Sequence, residues 1–152
     1  MFEIATELRE AYITKLGGIQ ISGVTIPFYD ELQGATVANI GYATAYCLIM
    51  DQSANDILIK NGFYQNVTIS IDVVTKFPKN KGGKKLSEQI SNEIQQLIRT
   101  GDTTDYPVLT NFQIVTCSKT NDRGIIEENV GNTVFRKILT FSHKIKQINQ
   151  TT

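Results

Sequence analysis

Residues 67–73 constrain this chain more than any other stretch: Val67, Ile69, Ile71 and Val73 alternate with Thr68, Ser70 and Asp72. A period of two places successive side chains on opposite faces of an extended backbone, so one face is apolar and the other polar. A lone strand leaves its backbone groups unpaired and its apolar face wet. The chain must therefore build a sheet and cover one side of it.

Two segments have the helical spacing needed for the cover. In residues 2–16, Ile4, Leu8, Ala11, Tyr12 and Leu16 recur on one stripe, with Glu3, Glu7, Arg9 and Glu10 off it, and Gly17-Gly18 is the stop signal. In residues 84–100, Leu86, Ile90, Ile94, Leu97 and Ile98 form the stripe and Gly101 the cap, with the polar run 102–105 as the connection before Pro107.

The remaining strands are weaker. A short pair is expected at 19–22 and 24–29 with Gly23 at the turn, then a long irregular surface loop at 30–44. Compact apolar runs follow at 45–50 and 57–59, and Asn61-Gly62 signals a turn. Phe77-Pro78 ends the alternating strand, and 79–83 reads as a flexible basic loop. Two strands close the chain: one carries Phe112, Ile114, Val115 and Cys117, and the other, at 133–145, carries Phe135, Leu139, Phe141 and Ile145 on one face. A polar, Asp/Asn/Gly-rich hairpin arm at 118–132 joins them, and residues 146–152 read as a frayed tail. The expected fold is α+β: a mainly antiparallel sheet with two helices packed on one face.

At 152 residues the chain fits one domain, 1–152, and a domain of that size buries about 68–70% of its unfolded surface. Fifteen Lys and Arg balance fifteen Asp and Glu, which removes the electrostatic case for a free-standing nucleic-acid binder. The balance hides an asymmetry. Residues 1–75 hold eight acids and three bases, net −5, and residues 76–152 hold seven acids and twelve bases, net +5. Folding either intermixes these sets or leaves opposite charge on opposite ends, which would suit stacking on copies or partners.

Cys47 and Cys117 lie in apolar runs without a CxxC partner, so buried reduced thiols are expected and zinc is not. The first residues, Met-Phe-Glu-Ile, soon followed by Glu7, Arg9 and Glu10, do not read as a signal peptide. No apolar run approaches the length of a membrane span, so no membrane partner is expected.

Chemistry is thin. The single histidine, His143, falls between Phe141 and Ile145 on the apolar face, which suits a hydrogen-bonded, partly buried ring better than a general base. Cys117 with His143 is the only pairing available for nucleophilic catalysis. Asp51, Asp72 and Lys76 could be aligned as a metal-dependent nuclease site, but the Glu-x-Lys element of such sites is missing, and solvated strand residues are the simpler account. No phosphate-binding glycine loop matches. Lys76, Lys79, Lys81, Lys84 and Lys85 crowd the loop before the second helix, where lysines and helix N–H groups could hold an anion. Catalytic residues, cofactors and metals are not expected.

The order of elements resembles the tail-completion, or tail-terminator, family of tailed bacteriophages. The resemblance rests on the helix at 2–16, the extended segment Val24-Thr25-Ile26-Pro27-Phe28-Tyr29-Asp30, the alternating strand 67–73, the glycine-containing turn 79–83, the helical stripe 86–98, and the two closing strands 112–118 and 133–145 with their polar arm. It covers nearly the whole chain as pattern. The long 30–44 region departs from it, and the proline-rich stretch usual after the first short strand is absent. The resemblance implies a virion protein made in the host cytoplasm, forming a homo-oligomeric ring, six- or twelve-fold, in the neck or tail. It implies connector, portal or tail proteins as neighbours and non-specific contact with packaged DNA. Lys76, Lys79, Lys81, Lys84 and Lys85, together with Asp122, Glu127 and Glu128 on the arm, are the expected assembly or channel contacts. A small-ligand or regulatory binding module of the same fold is the alternative, and a carboxylate nuclease a third.

Overall fold

The computed structural model describes residues 3–30, 37–58, 62–98 and 106–148. Among these, a six-stranded sheet in the order β3-β5-β6-β8-β7, with β4 on the flank of β5, carries both helices on one face. The strands are β3 (Phe28–Tyr29), β4 (Ala38–Ile40), β5 (Ala43–Ile57), β6 (Tyr64–Pro78), β7 (Phe112–Glu128) and β8 (Asn132–Gln147). All pairings are antiparallel except β3 with β5. The expected α+β architecture is the observed one.

The alternating run lies at the centre of β6, and its odd-numbered side chains Val67, Ile69, Ile71 and Val73 are buried. Cross-strand partners share a face, so Cys47 and Ile49 of β5 and Leu139, Phe141 and Ile145 of β8 join them. Helix α1 (Ile4–Leu16) covers this face with Ile4, Leu8, Tyr12 and Leu16, while Ala11 is only half-buried. Helix α2 (Lys85–Leu97) adds Leu86, Ile90 and Ile94. Glu3 caps α1 by accepting the Ala5 N–H at 3.0 Å. Glu7 ties it to the segment before β7, accepting N–H bonds from Thr110 and Asn111.

The short pair is smaller than its hydrophobic pattern. Strands β1 (Gln20–Ile21) and β2 (Val24–Thr25) flank Ser22-Gly23, both at positive φ, the geometry of a tight hairpin turn. Pro27 then divides the expected 24–29 strand. Lacking an N–H, it cannot continue a ladder, and its carbonyl accepts from Cys47 while Phe28–Tyr29 turns alongside β5.

Several expectations are corrected. The described part of the 30–44 loop is largely strand, a tight β4–β5 hairpin through Gly41. Its buried face consists of Ala38, Ala43 and Ala45, which carry little hydrophobic signal. The runs at 45–50 and 57–59 are not separate strands: β5 continues through a bulge between Ile49 and Gln52 to Ile57. The hairpin at 118–132 is present, but it is not an arm standing clear of the sheet. Its ladder with β8 continues to Glu128 opposite Thr133, and β8 is held along its other edge by β6 as far as Asn132 opposite Pro78. The frayed tail begins later than 146, since the Gln147 N–H donates to Phe63 O and the Ile148 N–H to Asn111 O. Phe2, Ile59, Asn61, Gly101, the connection 102–105 and the last four residues lie outside the described residues.

Candidate functional site

The five lysines do not form one loop-borne cluster. Lys76 is still in β6 and shares the sheet face of Asp72 and Val74, away from the helices. Lys79 and Lys81 lie in the turn, Lys84 is the N-cap of α2 and Lys85 its first residue; all five are exposed. The turn is more constrained than a flexible loop. Lys81 N–H bonds Pro78 O at 3.0 Å, and its ammonium sits 5.0 Å from the centre of the Tyr42 ring. Gly82, at φ +93°, lies so close to the Phe77 ring that an added Cβ would come within 2.2 Å of it. Phe77 in turn packs edge-on against Phe135. Lys84 offers α2 no side-chain cap, and positive charge there opposes the helix dipole.

The acids of the former arm are partly engaged within the chain. Asp122 pairs with Lys119 at 2.9 Å and Lys137 at 3.0 Å. Partial burial would raise its carboxyl, but hydrogen bonds from these two ammonium groups outweigh burial and hold it below the usual carboxylate range. Glu127 pairs with Arg136 at 3.0 Å, and Glu128 is exposed at the end of β7.

Asp72 overturns the solvated-residue expectation. It is completely buried, on the face opposite the helices, and both its oxygens accept from the Arg136 guanidinium. Arg136 bridges on to Glu127, and the hydrogen bond to Asp72 leads the causes that raise the guanidinium pKa. Tyr46 lies on the same face, and burial raises its phenol. Asp51 sits in the β5 bulge and is exposed, as is Lys76. The three residues of the nuclease alternative therefore do not converge, and Asp72 is sealed from solvent with both oxygens held by Arg136. Among the described residues no group of three or more His, Cys, Asp or Glu could hold a metal ion. Sequence reasoning missed Arg136; its only signal was the even-numbered series Val134, Arg136, Ile138 on one face of β8.

His143 is hydrogen-bonded as expected, and buried more completely than expected. Its Nδ1–H donates to Val67 O at 2.9 Å, so Nε2 must accept the Tyr12 O–H at 2.5 Å. Burial pushes its pKa down to about 4, against a small opposing effect of the Val67 bond. Cys117 is its direct cross-strand partner, but burial lifts that thiol to about 11. With both ring nitrogens occupied and the thiol protonated, the pair is poorly equipped for nucleophilic catalysis. Cys47 and Cys117 are free thiols, both buried.

An open groove of about 810 Å³ lies where the segment before β7 meets its first residues, with Val108, Val115 and Ile148 exposed along it. Its lining is mostly apolar side chains, with Tyr106 and Gln113 and no Asp, Glu, Lys, Arg or His among them.

No known protein-family profile matches this sequence, and no curated protein matches it. Among solved structures, the chain matches one from the virion of a native gene transfer agent (GTA) particle, with 15% identity and a TM-score of 0.69 over 96% of this chain and 99% of that one. At that identity the likeness establishes the fold, shared from end to end with a virion chain.

Proposed function

We propose that this chain is a structural subunit of a phage-type virion, acting as one domain that forms an oligomeric ring in the head–tail connector or tail, in the manner of a tail-completion or terminator protein. The observation that carries the reading is the correspondence of fold with a chain of a gene transfer agent virion over 96% of this chain and 99% of that one. The groups that would serve catalysis are otherwise engaged: His143 by Tyr12 and Val67, and Asp72 by Arg136. Such a subunit is made in the host cytoplasm and ends in the neck or tail, without enzymatic activity.

Lys79, Lys81, Lys84 and Lys85 at the start of α2 are the surface offered to packaged DNA or to an acidic neighbour. Repetition around a ring multiplies weak contacts of this kind. The portal, connector and tail proteins are the neighbours this reading requires. The test is purification followed by light scattering and negative-stain imaging, alone and mixed with particles made without this protein. Rings, or restored joining of heads to tails, are the expected result. A protein that stays monomeric and is dispensable for particle assembly would overturn the reading.

A further inference from the structure

Two stretches of strand edge are left open on opposite sides of the sheet. On β5, β4 pairs with Ala43–Ala45 and β3 with Cys47 and Leu48, but among the described residues no strand lies outside Gln52–Ile57. On β7 no described strand lies outside any part, although the Tyr106 hydroxyl takes the Cys117 N–H. Alternation gives the direction of the free amides. The Cys47 N–H points outward to Pro27 O, so beyond the one-residue bulge the amides of Gln52, Ala54 and Asp56 also point outward. From Cys117, across the bulge between Lys119 and Asn121, the same alternation turns out those of Asp122, Gly124 and Ile126.

These edges are protected only by a bulge at one end and by a few charged side chains. Proteins blunt open strands with proline, lysine or bulges. Neither 52–57 nor 121–128 contains a proline or a lysine, and in each case the bulge precedes a stretch that is itself regular. Asp51 and Asp56 have no intrachain partner among the described residues, and neither do Arg123 and Glu128 on β7. The acidic first half of the sequence supplies the β3–β5 side of the sheet, and the basic second half supplies the β8–β7 side. Two β5 edges would set Asp51 and Asp56 against their own copies, whereas the β7 edge offers them Arg123.

We infer, building on the ring reading above, that copies of this chain join head to tail by strand pairing, the open half of β5 in one copy running antiparallel to distal β7 in the next. The antiparallel sense follows from the topology. Each of β5, β6, β8 and β7 reverses its neighbour, so a second copy in the same orientation presents β5 opposed to β7. This is a heterologous contact, the kind that generates a ring when the rotation closes.

Proline at an outward amide tests this, because it removes an edge donor and leaves the internal ladder intact. Ala54→Pro blocks one edge and Ile126→Pro the other. Both variants should keep the wild-type circular dichroism spectrum and lose ring assembly. An equimolar mixture of the two retains one good edge of each kind and should yield dimers but no rings. In wild-type assemblies the amides of Gln52, Ala54, Asp56, Asp122, Gly124 and Ile126 should gain protection from hydrogen exchange. Wild-type rings that survive both substitutions would overturn strand pairing and leave the ring reading standing. Ala54→Pro protein that dimerises alone would replace head-to-tail pairing with a two-fold contact through β7. A wild-type chain that remains monomeric, alone and beside its particle, would overturn both readings.

Discussion

On the face of the sheet beneath the helices, Ile69, Ile71, Leu139 and Phe141 are fully buried by other apolar side chains. On the opposite face Asp72 is equally inaccessible, yet what lies over it is a guanidinium, itself about a third exposed. The first kind of burial is favourable in itself, at roughly 25 cal/mol per Å² of apolar surface removed from water. The second is conditional: a buried ion pair is close to neutral while intact, and costly once one partner is removed. The helix-covered face therefore supplies stability, and the Asp72 face records which strands must be neighbours.

The largest effect expected is on the helix-covered face. Ile71→Ala should cost about 4 kcal/mol, and Ile94→Ala on the facing helix a similar amount within the 2–5 kcal/mol range for such truncations. Denaturant melts measure both, and losses below about 0.5 kcal/mol at both positions would erase the contrast between the faces. Arg136→Met should follow at about 3 kcal/mol, because it strands the Asp72 carboxylate. The double variant Asp72→Leu with Arg136→Met should recover most of that loss, and a double variant as unstable as the single would mean the pair is favourable in its own right.

His143 gives a comparable effect that depends on pH. Its folded pKa of about 4 lies below the ordinary value of 6.5, so between those values the unfolded chain binds the extra proton. Stability should be complete above about pH 6.5, fall as the pH drops, and level off below about pH 4 after a loss of about 3 kcal/mol. The difference between wild type and His143→Gln, followed by thermal melts across that window, isolates this part of the slope. The smallest effect belongs to the exposed lysines. Replacing Lys79, Lys81 and Lys84 together with Gln should change stability by less than about 0.5 kcal/mol. The same variant should weaken assembly and reduce its salt dependence, which sedimentation at several salt concentrations would detect.

Legibility followed the kind of burial. Val67–Val73 and the α2 stripe could be read because large apolar side chains at a fixed period announce both the element and the face it buries. The β4–β5 hairpin was invisible because its buried positions are Ala38, Ala43 and Ala45. Residues 118–128 read as a hairpin arm set apart from the closing strands because polarity reports exposure, and an edge strand is exposed without leaving the sheet.

By itself the sequence determined the fold class, the two covering helices, the end of β6 at Pro78 and the burial of His143, since each follows from local periodicity or from one residue's chemistry. Only the tertiary structure decided that β8 holds β7 against the sheet, that Lys76 parts company with the other lysines, and that Asp72 is buried. The reason is physical. A carboxylate in a strand is solvated or sealed according to what lies on the neighbouring strand, and Arg136 is 64 residues away along the chain. Only the register between β6 and β8 brings the two side chains together.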